Sequence, residues 1–329
     1  MKIAIITDGN NKLGMGHIYQ SICIAGMLLQ RNIPLEDIIF MTQSQENVQN
    51  HIMESGFLVN YYPDNDSIFN DLKKINPDRI IFDKLDVSPD LAKRIKYELH
   101  IKLTILTNLT DANLYADITV LADIGSNFKN IYRKEERTNN VHFLGPKYWL
   151  LRPEFYELKS TPKISSLFTK NIMLIFGGSD VSNLTSVVLD VLLKIESEFT
   201  ITVVLGSAFI HDKELNEVIH NNCNTKSHVQ IVKNIKNVAE IMFKSHVVLA
   251  SPGLSFFEAL AVGTPVIGFH QNDLQRDTYK GFLTTVDICE LNNLPEMIEY
   301  QTYIYPDNPF IKSMEIGEGK EEILDEILK

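Results

Sequence analysis

Thr7-Asp8-Gly9-Asn10-Asn11-Lys12-Leu13-Gly14-Met15-Gly16-His17-Ile18 is the stretch on which the reading of this chain turns. The apolar β-run Ile3 to Ile6 precedes it, and helix-like spacing from Ile18 to Leu29 follows, with Ile18, Ile22, Met27 and Leu28 among the apolar positions. The order is therefore strand, glycine-bearing loop, helix. In an open α/β sheet such a turn sits at the carboxyl end of a parallel strand and aims the helix's free N–H groups at a ligand. Gly14 and Gly16 let the backbone come close to that ligand. His17, in the first helical turn, faces the same space and carries a ring that titrates near neutrality, so it is able to take a proton from water. The same residues also suit a helix-capping loop with a partly exposed histidine, and the motif alone leaves both readings open.

Outward from this loop the alternation continues. Strand-like runs at Ile38 to Met41, Leu58 to Tyr62, Arg79 to Phe82 (ending at Asp83), Lys102 to Leu106 and Asp117 to Leu121 trade places with helical stretches ending near Gly56, at Ile75 and over Pro89 to Leu99. This is the pattern of a parallel sheet covered on both faces. Asn139 to Pro162, with the only tryptophan at Trp149, breaks the rhythm and reads as a structured connector. A second series begins at Ile172-Met173-Leu174-Ile175-Phe176 and again runs into a glycine loop and a helix. The expected architecture is α/β, with two Rossmann-like domains, 1–160 and 161–329, facing each other across a cleft. Residues 296–329 read as a tail on the second domain, with a last helix at Lys320 to Leu328.

Composition narrows the partners. At 329 residues the chain exceeds one typical domain of ~100–150 residues. A formal charge of −11 argues against nucleic acid, since a phosphate-binding surface needs a basic excess. Cys23, Cys223 and Cys289 show no CxxC spacing and are expected as small buried apolar residues in a reducing cytosol. No run of ~18 apolar residues is present to span a bilayer, and the N-terminus enters a strand directly. The expectation is a cytoplasmic protein without a membrane span; oligomeric state is not legible.

Dinucleotide binding fits poorly. The fingerprint asks for a third glycine where Tyr19 stands and an acid where the second strand ends in Met41-Thr42-Gln43. No P-loop and no metal-ligand spacing occur, so neither metal nor cofactor is expected. His211-Asp212 suits a helix start. Gly177-Gly178-Ser179-Asp180 suits a phosphate nest, in which successive N–H groups surround an oxyanion, or a tight turn with Ser or Asp as cap. Ser251-Pro252-Gly253-Leu254-Ser255 also leads into a helix. There Ser255 and Glu258 fit the two ends of a capping box, while a functional Glu258 would accept hydrogen bonds from vicinal ribose hydroxyls.

Taken together, Asp8…Gly14-x-Gly16-His17, the connector Leu144-Gly145-Pro146-Lys147-Tyr148…Leu151-Arg152-x-Glu154-Phe155, Phe176-Gly177-Gly178-Ser179-Asp180 and Ser255-x-x-Glu258-Ala259 resemble the PseG/SpsG family over roughly residues 1–290. Its best known members hydrolyse UDP-2,4-diacetamido-2,4,6-trideoxy-β-L-altropyranose in pseudaminic acid biosynthesis. The resemblance implies a GT-B fold related to MurG, UDP held chiefly by the carboxyl-terminal domain, and metal-independent hydrolysis of a UDP-linked amino or deoxy sugar. His17 would be the base that activates water, with Asp8 to orient it or to cap the loop. The substrate-binding set becomes Gly14, Gly16, Asp83, Arg152, Gly177, Gly178, Ser179, Asp180, Ser255, Glu258 and Gln275. Asp83 is a sugar contact or a turn acid, and Arg152 faces phosphates or pairs with Glu154. Three positions depart from the family pattern: Gln20 stands for the usual Arg, Asp83-Lys84-Leu85 for Asp-His-Tyr, and Thr107-Asn108-Leu109 for a common acidic pair. The alternatives are a glycosyltransferase of the same architecture using a UDP-sugar donor, and a nucleotide-sugar sensor without turnover.

Overall fold

The computed structural model describes residues 1–9, 15–122, 129–161, 170–206, 208–233, 235, 237–282, 285–304 and 308–329. They form two compact units. The first comprises residues 1–122, 129–152 and Gly317–Lys329; the second is built from Pro153–Ile316.

In the first unit, β1 (Ile3–Thr7), β2 (Ile38–Thr42), β3 (Leu58–Tyr61), β4 (Arg79–Asp83), β5 (Lys102–Leu106), β6 (Ile118–Leu121), β7 (Ile131–Lys134) and β8 (Val141–Leu144) make one sheet in the order β3-β2-β1-β4-β5-β6-β8-β7. Neighbours are parallel except the β7–β8 edge pair. All five residues of β1 are buried, as a parallel strand covered on both faces demands. Helices α1 (Gly16–Gln30), α2 (Glu46–Glu54), α3 (Asn65–Ile75) and α4 (Pro89–Arg94) follow the first strands. Asp64 starts α3 by accepting from the Ser67 N–H, and Ser88 starts α4 with a proline behind it.

The second unit opens with α5 (Pro153–Lys159) and carries β9 (Asn171–Ile175), β10 (Thr200–Leu205), β11 (His228–Lys233), β12 (Val247–Ala250), β13 (Val266–Phe269) and β14 (Thr285–Val286) in the order β11-β10-β9-β12-β13-β14. Every neighbouring pair in it is parallel. Its helices are α6 (Leu184–Lys194), α7 (Asp212–Asn221), α8 (Val238–Lys244), α9 (Leu254–Ala261), α10 (Asp273–Tyr279), α11 (Leu294–Ile304) and α12 (Pro309–Ser313). Both sheets reverse their strand order after the first strand, between β1 and β4 and between β9 and β12. Loops at the carboxyl ends of those pairs border the crevice where open α/β sheets take ligands.

Three expectations change. The break at Asn139 is not a connector throughout, because Val141–Leu144 pairs in register with β6 and extends the first sheet. The units part at Arg152–Pro153 rather than near 160, and Gly317–Lys329 joins the first unit rather than the second. The reason is packing: the last helix, α13 (Lys320–Leu328), buries Ile323, Leu324 and Ile327. Arg31 pairs with Glu321 and Asp325, and Lys147 reaches Glu322 at 2.6 Å. Of the cysteines, only Cys23 is buried; Cys223 and Cys289 are exposed. Among the described residues no helix is long and apolar enough to cross a membrane.

Candidate active site

His17 is the second residue of α1, which follows β1, and Asp83 is the last residue of β4. Parallel register sets Thr7 beside Asp83, so the two groups meet at the switch point of the first sheet. His17 Nδ1 lies 2.7 Å from Asp83 Oδ1. A carboxylate only accepts, which places the proton on Nδ1 and leaves Nε2 as the imidazole's free lone pair. Asp83 is fully buried. Its charge is met by three donors: His17, the Thr107 hydroxyl at 2.9 Å on Oδ1 and the Ser21 hydroxyl at 3.2 Å on Oδ2. Burial works against the imidazolium, but the charge and hydrogen bond of Asp83, with help from Asp8 and Asp86, outweigh it. His17 therefore titrates above its ordinary 6.5.

Asp8 does not orient His17. One of its oxygens accepts from the Thr42 hydroxyl (2.9 Å), the Gln43 N–H (2.7 Å) and the Ser44 hydroxyl (3.3 Å). The other lies 2.5 Å from Lys84 Nζ, which also faces Asp86 at 3.7 Å. Lys84, a departure from the family pattern, is thus absorbed by neighbouring acids. Asp83 is the residue that holds the histidine. Ser21 and Thr107 were not anticipated. Ser21 carried a signal, since it sits one helical turn beyond His17 on the same face; Thr107 carried none, because its role depends on which strand lies beside β4.

Gly14 lies outside the described residues. Gly16 is exposed at the start of α1, and a Cβ there would meet nothing within 4 Å. The N-cap residues of α1 and α9, Met15 and Gly253, supply no side-chain cap, and neither helix has an acid in its first turn. By contrast α3, α4, α8 and α10 are all capped by side chains. Among the described residues, the N-cap side chains thus leave the first N–H groups of α1 and α9, at the two switch points, to other acceptors.

In the second unit, Gly177 is exposed and Gly178 half-buried, while Ser179 and Asp180 are buried. Asp180 accepts from the N–H groups of Leu184 and Thr185, each at 2.8 Å, and so caps α6. Burial raises its carboxyl above the ordinary range, against the pull of those hydrogen bonds. Ser255 and Glu258 do not make the expected capping box: α9 begins at Leu254, two residues before Phe256, with Gly253 as its N-cap, and Glu258 is fully buried inside it. Gln275, expected at the substrate, has its amide engaged by the protein. It accepts from Gln271 N–H at 2.8 Å and donates to Pro252 O at 2.9 Å. Gln271 in turn donates to Phe176 O at 2.8 Å and Ser251 Oγ at 2.5 Å. Two glutamines thus stitch together the loops after β9, β12 and β13. Arg152 is half-buried where the units part. No group of three His, Cys, Asp or Glu side chains among the described residues is arranged for a metal.

No protein-family model matches the chain. It is 41% identical over 330 residues to an uncharacterized protein of Methanocaldococcus jannaschii, covering 99% of this chain and 66% of that protein. It thus spans about two thirds of that relative's length. A more distant relation, 25% identical over 311 residues, links it to the spore coat polysaccharide biosynthesis protein SpsG of Bacillus subtilis, covering 93% of this chain and 87% of that one. Among solved structures, Acinetobacter baumannii MurG superposes over 100% of this chain and 99% of its own, with a TM-score of 0.64 and 10% identity. The calicheamicin glycosyltransferase CalG4 covers 100% of this chain and 98% of its own, with a TM-score of 0.65 and 10% identity. The fold is GT-B. The UDP-GlcNAc 2-epimerase of Neisseria meningitidis, solved with UDP-GlcNAc bound, shares it, with a TM-score of 0.56, 12% identity and full coverage of both chains. At these identities the structural likeness speaks to architecture alone.

Proposed function

We propose that this protein is an enzyme that splits a UDP-sugar into UDP and free sugar, with water as acceptor. The observation that carries this reading is the His17–Asp83 pair, a carboxylate-held imidazole with its Nε2 unoccupied by any partner in the described residues. In the proposed reaction Nε2 takes the proton of a water whose oxygen bonds to the anomeric carbon, and UDP leaves with the electrons of the broken C–O bond. A positioned base contributes typically ~10²–10⁴-fold. The N–H groups of Gly177 and Gly178 and the start of α9 are assigned to the diphosphate, where dipoles aimed at developing charge are worth about 3 kcal/mol each. The distant relation to SpsG supports a place in saccharide biosynthesis, and a deoxy or amino sugar of the pseudaminic acid type follows from the sequence resemblance.

A transferase reading, with a sugar hydroxyl in place of water, is supported by the architecture shared with MurG and CalG4. Incubation with a panel of UDP-sugars in the absence of any acceptor separates the two. Hydrolysis predicts UDP release at catalytic rates; release that begins only when an acceptor is added would establish the transferase instead. Binding without turnover in both assays would make the protein a sensor.

A further inference from the structure

Eight residues other than glycine have positive φ among those described. Seven are Asn, Asp, His or Glu; Thr107, with φ +57°, is the β-branched one. A branched side chain in the left-handed region is a backbone outlier, and such outliers persist only where surrounding structure over-determines them. The surroundings here do so. Leu106 is paired with Asp83 in the sheet, and the Thr107 N–H reaches Val120 O at 3.0 Å. The next residue, buried Asn108, accepts from the Val87 N–H at 3.0 Å and donates to Thr110 O and Asn113 Oδ1, both at 3.0 Å. The turn would suit asparagine or glycine at 107. What threonine adds is its hydroxyl, which lies 2.9 Å from the Asp83 oxygen that also meets His17.

We propose that Thr107 is a positioning residue: its strained backbone holds a hydroxyl against Asp83 Oδ1, fixing the carboxylate's rotamer and, through it, the tautomer and direction of the His17 imidazole. The catalytic consequence rests on the hydrolase reading above; the structural consequence does not.

The test is long-range ¹H–¹⁵N NMR of the His17 ring in the wild-type chain and in Thr107→Val, Thr107→Ser and Thr107→Gly, together with thermal unfolding and UDP release. The other charges acting on His17, Asp8 and Asp86 with Lys84 between them, are untouched by these substitutions. Wild type and Thr107→Ser are expected to show one neutral tautomer, protonated on Nδ1. Thr107→Val and Thr107→Gly are expected to show mixed tautomers and a displaced His17 titration, with kcat lowered about tenfold to a hundredfold and KM little changed. Thermal unfolding serves to show that each variant is folded at the temperature of the spectra. An unchanged ring spectrum in both Thr107→Val and Thr107→Gly overturns the proposal. A tautomer change in a protein that releases no UDP in any form upholds the positioning role and counts against the hydrolase reading instead.

Discussion

At the scale of single residues, His17 and Asp83 make separable predictions. His17→Asn keeps a polar side chain but no base, so kcat for UDP release should fall by ~10²-fold or more while UDP affinity stays the same. The base must be neutral to accept water's proton, and its ionisation is raised above 6.5, so kcat should climb with pH through a single step displaced upward from that value. Asp83→Asn removes the main charge responsible, and the step should move down as the plateau falls. Stability follows the opposite sense. A group whose ionisation is raised by folding stabilises fully below its unfolded value and loses that contribution as pH rises through the folded one. The melting temperature of the wild type should therefore fall more than that of His17→Asn as pH goes from ~6 to ~9. His17, the proposed base, could be singled out in the sequence because a glycine loop before a helix localises it without any tertiary information. Its carboxylate partner was legible only as a strand-end acid: choosing Asp83 over Asp8 needed the β1–β4 pairing and the Lys84 ammonium that occupies Asp8.

At the scale of elements, the loop after β9 is shaped by a neighbour. A Cβ on Gly206, just past β10, would lie 2.4 Å from both the Cα and the carbonyl oxygen of Gly178. Gly206→Ala must push the Gly177–Asp180 turn aside, and isothermal titration should show weaker UDP binding with His17 chemistry otherwise intact; unchanged affinity would remove that turn from the nucleotide site. Asp180→Ala acts differently, since it strips the acceptor from two N–H groups at the start of α6. A lost cap costs about 1–2 kcal/mol, or a melting shift of roughly 2–8 °C for a unit of this size. The strand and helix alternation could be read from apolar periodicity to within a residue or two for most elements. Val141–Leu144 escaped because it is short and runs straight into Gly145-Pro146 and the aromatic residues Tyr148 and Trp149. The capping box at Ser255 failed for a related reason: the pattern fits, but Gly253 lets α9 begin earlier than the pattern assumes.

At the scale of the whole molecule, the final helix belongs to the unit that the N-terminus begins. Gly319 sits where a Cβ would come 2.4 Å from Tyr148 Cδ1. The last carbonyls of α13 are met by Arg79 at 2.8 Å and Lys102 at 2.7 Å, cations suited to a helix C-terminus. Gly319→Val should lower the melting temperature of the first unit without altering UDP affinity, measured by calorimetry and titration on the same sample. Nothing local in Lys320–Leu328 announces this return, because an amphipathic helix records only that one face is buried, not what covers it. On the proposed reading, the His17–Asp83 pair activates water against a UDP-sugar. The measurement that tests this most directly is the pH dependence of acceptor-free UDP release by the wild type and by His17→Asn over a panel of UDP-sugars. The expected result is catalytic release by the wild type, rising through one ionisation above 6.5, and its loss in His17→Asn with UDP still bound. Release at wild-type rates from His17→Asn, or release by the wild type only after an acceptor is supplied, would contradict it.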